Sequence, residues 1–231
     1  MVGQLLWLLG TRIDICFAIN ALSRYMSNWN EQSIAMLKRV VRYLKGKEKY
    51  GLVYLRGPKD AKIEEAYQEP TKARFIADAD HASRIHDSKT TGSHIALFAD
   101  NTIAFNTKTH EAGISTSSSQ AEALTCKLAC HAIEWQSELL KEMNIRGQGP
   151  ITLQQDNQSV INLSVNPVNH KRSKHYRVAM DYVRDLVERR VTKLVYCPSE
   201  EMVADVLTKA LSEAQHWKLL KLARFGKFEW F

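Results

Sequence analysis

The stretch HIALFADNTIAFN, residues 94–106, decides the fold class that this sequence predicts. Two runs rich in strand-forming residues, 94–99 and 102–106, flank the turn-forming pair Asp100–Asn101. A similar run, ARFIA at 73–77, comes before them. Three such runs in quick succession predict an antiparallel meander of three strands.

After the meander, the rest of the chain alternates helices and strands. Apolar spacing and breaking residues predict helices at 118–143, 157–163, 176–187, 202–211 and 213–222, and strands at 151–153 and 193–196. The order βββ-α-β-α-α-β-α predicts an α/β fold, a mixed five-stranded sheet with helices on both faces.

The chain before the meander is predicted to be helical over its first 48 residues, with Asn30 capping a helix that ends at Leu44. A short β run at 52–55 follows, and the chain then turns polar between Arg56 and Thr71. We therefore predict a helical segment at 1–57, a linker at 58–72, a main domain at 73–211, and a C-terminal helix with an aromatic tail at 212–231.

The composition is that of an ordinary globular protein, 45% hydrophobic and 25% charged over 231 residues. No apolar run approaches the roughly 20 residues of a membrane span, so we expect no membrane partner and an intracellular location. A net charge of +7 favours a polyanionic partner, and basic residues cluster at 38–49 and 171–177. Cys126 and Cys130, four apart in a predicted helix, are interpreted as buried apolar residues rather than as metal ligands.

Four acidic residues occupy similar places in the predicted topology. Asp78 and Asp156 end strands, and Glu122 and Asp205 lie in the first turns of helices. Strand ends and neighbouring helices converge at one edge of such a sheet. Carboxylates gathered there repel one another unless a cation lies between them, and oxygen ligands favour Mg²⁺ or Mn²⁺. Two such ions could activate a water and stabilise the leaving oxygen of a phosphodiester.

Each of these acids has an ordinary structural interpretation when it is taken alone. Asp156 could cap the helix that it precedes, and Asp205 could interact with the positive end of its own helix. Asp80 and Asp87 are equally acidic, and their spacing does not exclude them.

Short motifs make the whole chain resemble one family, the copia-type LTR-retrotransposon Pol polyproteins. The resemblance covers the end of the reverse transcriptase thumb and the ribonuclease H region that follows it. In the thumb it rests on TRIDI at 11–15, LSRYMS at 22–27, LKRVVRYLKG at 37–46 and GLVY at 51–54. In the nuclease it rests on DAD at 78–80, SKTTG at 88–92, SSSQAE at 117–122, DNQS at 156–159, SKH at 173–175 and ADVLTKAL at 204–211.

The resemblance implies a ribonuclease H-like fold and a metal-dependent endonuclease that hydrolyses the RNA strand of an RNA·DNA hybrid, leaving a 3′-hydroxyl and a 5′-phosphate. Asp78, Glu122 and Asp156 would hold one metal ion, and Asp78 with Asp205 the other. Such an enzyme recognises backbone shape and 2′-hydroxyl groups rather than bases. It would be cytoplasmic, within particles, or nuclear.

Candidate contacts to nucleic acid are polar or basic. The polar candidates are Ser83, Thr91, Asn157 and Gln158. The basic candidates are Lys171, Lys174 and His175 before one helix, and Lys38, Arg39 and Arg42 on the thumb-like helices. A solvated surface is the alternative for Lys171, Lys174 and His175. The thumb-like helices could instead be a remnant that merely packs or leaves apolar surface exposed.

The sequence also departs from the family pattern. Family members usually have Trp at His81, Glu at Gln120, Tyr at Ala123 and a Trp-Ser pair at Phe105–Asn106. No departure removes a metal ligand. The transcriptase fingers and palm are missing, so we expect no polymerase activity and regard them as a possible partner. The alternative function is a catalytically weak or inactive nucleic-acid-binding remnant, while an integrase-like nuclease would lack the motif around Asp205.

Overall fold

The computed structural model describes residues 1–55, 73–80, 90–109, 118–145, 149–166, 176–227 and 229. The α-helices in this part are α1 (Val2–Leu8), α2 (Cys16–Ser23), α3 (Glu31–Gly46), α4 (Ser118–Glu142), α5 (Gln158–Val165), α6 (Arg177–Glu188), α7 (Asp205–Thr208) and α8 (Glu213–Leu222). The strands are β1 (Gly51–Leu52), β2 (Arg74–Asp80), β3 (Thr91–Phe98), β4 (Asn101–Thr109), β5 (Ile151–Gln155), β6 (Thr192–Tyr196) and β7 (Phe225–Gly226). The predicted linker at 58–72 lies outside the described residues.

The main sheet has, within the described residues, five strands in the order β4-β3-β2-β5-β6. β2, β3 and β4 form the predicted antiparallel meander. β5 pairs in parallel with β2, and β6 pairs in parallel with β5. This arrangement places the carboxyl ends of β2 and β5 side by side, which positions the candidate site.

The β3–β4 hairpin turns one residue earlier than its sequence predicts. Ala99 and Asp100 take the left-handed conformation, with φ of 47° and 60°. A two-residue hairpin turn of this type needs positive φ at both central positions, because only then does its twist match that of the strands. Asn101 is therefore the first residue of β4, and its side-chain oxygen accepts a hydrogen bond from the Leu55 amide at 2.8 Å.

Both faces of the sheet are covered, as strand alternation requires. On β2, Phe75 and Ala77 lie in an apolar cluster with α4, α5 and α6. Ile76 points to the other face and lies in a second cluster with α7 and α8. Cys126 and Cys130 are fully buried in the first cluster, as the sequence predicted. The predicted fold class, a mixed α/β sheet with helices on both faces, is confirmed.

The N-terminal helices pack against the second face of this sheet. The side chains of Ile13 and Cys16 lie in the same apolar cluster as α7 and α8. Asn30 caps α3 as predicted and forms a reciprocal capping box with Ser33. β1 pairs antiparallel with β7 near the C-terminus, and Phe225 of that pair is fully buried. The division into four segments stays a prediction.

Candidate metal centre

Three of the four predicted acids converge at the carboxyl end of the central strands. Asp78 lies near the end of β2, Asp156 directly follows β5, and Glu122 lies in the first turns of α4. One carboxylate oxygen from each lies within 4.8 Å of the others. Asp78 and Glu122 are buried and Asp156 is half-buried, so the group opens to solvent on the Asp156 side. Asp80, which the spacing alone could not exclude, is not a member of this group, and Asp87 lies outside the described residues.

Asp156 is not the helix cap that its position also allowed. The N-cap of α5 is Asn157, whose side-chain oxygen accepts hydrogen bonds from the amides of Ser159 and Val160. The capping function is thus served by the next residue along the chain. The Asp156 carboxylate remains directed toward Asp78 and Glu122.

Glu122 and Asp156 are tied together by Gln155, the last residue of β5. Its side-chain amide donates a hydrogen bond to Glu122 Oε2 at 2.9 Å, and its side-chain oxygen accepts one from the Asp156 amide at 2.8 Å. Gln155 is fully buried. Removal of its side chain would therefore leave Glu122 Oε2 and the Asp156 amide without a partner, with no water at that position to replace it. This residue therefore orients two of the three acids.

Asp205 joins the centre through a lysine rather than directly. It is the first residue of α7, and Lys209 directly follows that helix. Lys209 Nζ lies 2.8 Å from Asp205 Oδ1 and 3.0 Å from Asp78 Oδ1. The helix predicted at 202–211 is shorter than expected because Lys209 takes an extended conformation, with φ −119° and ψ 147°.

Asp78 has partners on both of its oxygens. Oδ1 accepts from Lys209, and Oδ2 accepts a short hydrogen bond from the Thr208 hydroxyl. Thr208 is the last residue of α7 and Lys209 directly follows it. α7 packs on the face of the sheet opposite to α4, the helix that carries Glu122. Asp78 thus connects the group of three acids to the pair that it forms with Asp205.

Burial and the proximity of other acids raise the pKa values of Glu122, Asp156 and Asp205. Burial, followed by the charges of Asp78 and Asp156, raises the pKa of Glu122 to about 9, although Gln155 opposes the shift. Burial and the charge of Asp78 raise the pKa of Asp205 to about 6 and also raise that of Asp156. Burial alone would lower the pKa of Lys209, but the neighbouring carboxylates outweigh it and the pKa of the ammonium is raised. The centre therefore gathers carboxyl groups that hold protons more tightly than free ones, with the Lys209 ammonium in contact with Asp78 and Asp205.

The other predicted contacts occupy different parts of the structure. Thr91 is buried in β3, and its hydroxyl has no hydrogen-bond partner among the described residues. Asn157 is the cap described above, and Gln158 is exposed in the first turn of α5. Lys38, Arg39 and Arg42 are exposed along α3. The remaining predicted contacts, Ser83, Lys171, Lys174 and His175, lie outside the described residues.

Sequence reasoning missed three residues that shape this centre, Gln155, Thr208 and Lys209. Thr208 and Lys209 belong to the ADVLTKAL motif, and the spacing of four between Asp205 and Lys209 is that of a helical ion pair. That spacing was the available signal. Gln155 carried no signal of its own beyond its place immediately before Asp156.

Comparison with known proteins gives clear sequence relatives. The chain is 31% identical over 212 residues to the retrovirus-related Pol polyproteins from transposons RE1 and RE2 of Arabidopsis thaliana. It is 28% identical over 211 residues to that from transposon TNT 1-94 of Nicotiana tabacum. These alignments cover 91–92% of this chain, but the chain spans only 14–15% of the length of these relatives. The predicted resemblance to copia-like Pol polyproteins is confirmed.

No family model matches the chain. Solved structures similar to it include LC11-RNase H1 in complex with an RNA/DNA hybrid, which is 16% identical, with a TM-score of 0.42 over 59% of this chain and 93% of that chain. RNase H1 from Halobacterium salinarum NRC-1 is 20% identical, with a TM-score of 0.42 over 60% and 93%. Within the described residues, no helix is both long and apolar enough to cross a membrane.

Proposed function

We propose that this chain is a ribonuclease H-type nuclease that uses divalent metal ions to hydrolyse the RNA strand of RNA·DNA hybrids. The observation that carries the proposal is the convergence of Asp78, Glu122 and Asp156, with an oxygen of each within 4.8 Å of the others. These acids come from two strand ends and a helix that are far apart in the sequence, and three ordinary surface acids would avoid such proximity.

The residues of the centre fit Mg²⁺ or Mn²⁺. All three groups offer oxygen atoms, which these hard cations prefer. The pKa of about 9 at Glu122 means that the three acids are not all ionised at neutral pH without a cation. We propose that Asp78, Glu122 and Asp156 hold one ion, and that Asp78 and Asp205 hold a second. Bound there, the ions would supply activation of a water and stabilisation of the leaving oxygen.

The chain's own residues would keep these ligands in position. Gln155 orients Glu122 through its amide and holds the backbone of Asp156. Thr208 holds one oxygen of Asp78. Partners of this kind fix the orientation of ligands and strengthen metal binding. The half-exposed Asp156 marks the side from which a phosphodiester would approach.

An RNA·DNA hybrid is the substrate that the sequence relatives favour, because they are retrovirus-related Pol polyproteins. The net charge of +7 suits a polyanionic partner. Lys38, Arg39 and Arg42 would contact phosphate groups from the exposed surface of α3. Recognition through backbone shape and 2′-hydroxyl groups would make cleavage independent of sequence.

The test is a cleavage assay on the purified chain with an end-labelled RNA·DNA hybrid in Mg²⁺, in Mn²⁺ and in EDTA. Single-stranded RNA, RNA duplex and DNA duplex of the same sequence serve as matched substrates. We expect cleavage of the RNA strand of the hybrid in at least one metal and none in EDTA, and we expect Asp156→Asn to abolish it. Full activity of that variant would mean that the site is elsewhere.

An inactive nucleic-acid-binding remnant is the alternative outcome of the same assay. It is favoured by the departures from the family pattern at His81, Gln120 and Ala123. A sample that is folded by circular dichroism and binds the hybrid, but cleaves it in neither metal, would establish the remnant and overturn the nuclease.

We also propose the polymerase region of a Pol polyprotein as a protein partner. The side chains of Trp7, Met26 and Trp29 on the N-terminal segment are 87%, 50% and 40% exposed, an unusual display of large apolar groups. Co-purification with a separately expressed fingers-and-palm segment tests this proposal. Trp7→Ser should weaken the association, and equal recovery of both forms would argue against this surface.

A further inference from the structure

We propose that the Lys209 ammonium is a built-in cation that competes with a divalent ion for the Asp78–Asp205 pair, so that a second ion enters only when Lys209 withdraws. This inference rests on the metal dependence proposed above. Lys209 would thereby control how many metal ions the centre holds.

The position of Lys209 between the two acids carries the inference. Its Nζ lies 3.0 Å from Asp78 Oδ1 and 2.8 Å from Asp205 Oδ1, within hydrogen-bonding distance of both. The side chains of these acids are only 1% and 10% exposed. An ammonium thus contacts both of the carboxylates that would hold the second metal ion.

The ammonium and a metal ion exclude each other at this place. A Mg²⁺ ion needs oxygen ligands at about 2.0–2.1 Å. Lys209 already lies against one oxygen of each acid, and Asp78 uses its other oxygen for the Thr208 hydroxyl. A divalent cation between the same carboxylates would meet the full repulsion of the ammonium in a buried setting.

Lys209 has a route out of the centre, which a fully enclosed lysine would lack. Its side chain is 38% exposed, although the carboxylates that it contacts are buried. Its four-carbon stem is flexible, so the ammonium can move to solvent without a change in the backbone. The group of Asp78, Glu122 and Asp156 opens to solvent on the Asp156 side, and each Asp78 oxygen has a second lone pair, so a first ion can bind there while Lys209 remains in place.

An ordinary surface ion pair in the same molecule shows the contrast. Lys141 contacts Glu138 at 2.6 Å, but both side chains are about two-thirds exposed, at 64% and 59%. Such pairs contribute little and are readily replaced by water. Lys209 instead neutralises acids that water reaches poorly, so its removal leaves a vacant cation position.

The test counts Mn²⁺ ions bound to the metal-free protein, by electron paramagnetic resonance of the free ion, without any substrate. Lys209→Met keeps the stem and removes the charge, Lys209→Arg keeps the charge, and Lys221→Met changes an exposed lysine of α8 as the matched control. We expect one strong and one weak site in the native chain. We expect Lys209→Met to strengthen the second site at least about fivefold, within the usual range of coupling between two ligands. Lys209→Arg and Lys221→Met should behave as the native chain.

The outcomes separate the two proposals. If Lys209→Met is folded and its second site is unchanged or weaker, Lys209 is merely structural and the competition is overturned. If neither the native chain nor any variant binds a first ion, the metal-dependent nuclease is overturned as well.

A measurement on the native chain keeps the test valid even if Lys209→Met does not fold. The NMR signals of the Lys209 side chain, followed during a Mg²⁺ titration, should change with the second binding event. A change that follows only the first event, or none, would contradict the competition.

Discussion

The two halves of the carboxylate centre share Asp78 but are stabilised in different ways. In one half, Glu122 accepts its hydrogen bond from the neutral amide of Gln155, and its pKa rises to about 9 because of burial and the nearby acids. In the other half, Asp205 contacts the ammonium of Lys209, and its pKa rises only to about 6. The comparison indicates that a cation is already built into one half, whereas the other obtains its positive charge from a proton or a metal ion.

Removal of the shared acid should abolish both halves at once. Asp78→Asn keeps the shape of the side chain but removes the charge that both halves use. We expect the cleavage rate to fall by at least about 100-fold, since loss of even the partners of metal ligands costs about 10–100-fold. We also expect Mn²⁺ binding to weaken at both sites, whereas Asp205→Asn should weaken only the second.

Asp80→Asn is the matched control, because Asp80 is on the same strand but outside the group of three acids. It should retain cleavage close to that of the native chain. A large loss in this variant, together with activity in Asp78→Asn, would reverse the assignment of the two acids.

Metal binding in the half that contains Glu122 should depend most on the neutral side chain of Gln155. Gln155→Leu removes the donor to Glu122 and leaves the Asp156 amide without its acceptor. We expect metal affinity at the first site to fall by about 10–100-fold, with a loss of about 1–3 kcal/mol in the free energy of unfolding. Titration of the cleavage rate with Mg²⁺, beside chemical denaturation, measures the two effects.

Gln154→Leu provides the comparison on the same strand, since Gln154 is half-buried and its side chain accepts a hydrogen bond from Arg74. It should leave the Mg²⁺ dependence unchanged. An equal loss of metal affinity in both variants would indicate general damage to β5 rather than a specific effect on Glu122.

The raised proton affinities also predict how stability depends on pH. The folded chain holds protons on Glu122 and Asp205 more tightly than the unfolded chain, whose carboxyl groups have ordinary pKa values of 4.5 and 3.8. The stabilisation is therefore complete below those values and is lost as pH rises toward about 9 for Glu122 and about 6 for Asp205. We expect the Tm in EDTA to fall by several degrees between pH 5 and pH 9.

Two further measurements check the cause of this loss. Glu122→Gln should flatten most of the decline above pH 6, because it removes the group with the higher pKa. Saturating Mg²⁺ should stabilise the native chain increasingly with pH, since the ion competes with protons for the same oxygens. A Tm in EDTA that rises over this range would contradict the pKa values.

Much of the fold could be predicted from the sequence because its signals are local. Strand runs, helical periodicity and caps predicted the meander, the long helix α4 and the cap at Asn30, and each depends on residues close together in the chain. The β3–β4 turn was one residue off because Asp100 and Asn101 accept positive φ more readily than Ala99 does, and the register of the paired strands overrides this local preference.

The site was less predictable where its residues meet across the chain. Which of Asp156 and Asn157 caps α5 depends on the direction of the chain as it leaves β5. Gln155, Thr208 and Lys209 act on partners that are 33, 130 and 131 residues away, at Glu122 and Asp78. Such contacts are formed by packing of the sheet against α4 and α7, which no local pattern specifies.

The smallest expected effect on cleavage concerns the hydroxyl of Thr208, which holds the shared acid from the side of the lysine. Thr208→Val keeps the volume but removes the donor to Asp78 Oδ2, and Lys209 still holds the other oxygen. We expect a loss of about 1.5–3 kcal/mol in the free energy of unfolding, typical of a hydrogen bond to a charged group. In Mg²⁺ the loss should be smaller, because bound ions would hold the same carboxylate. Thr208→Ser retains the hydroxyl and should recover most of the stability. If Thr208→Val instead abolished cleavage as Asp78→Asn does, Lys209 alone would be insufficient to orient Asp78, and the two halves would be less independent than their different partners indicate.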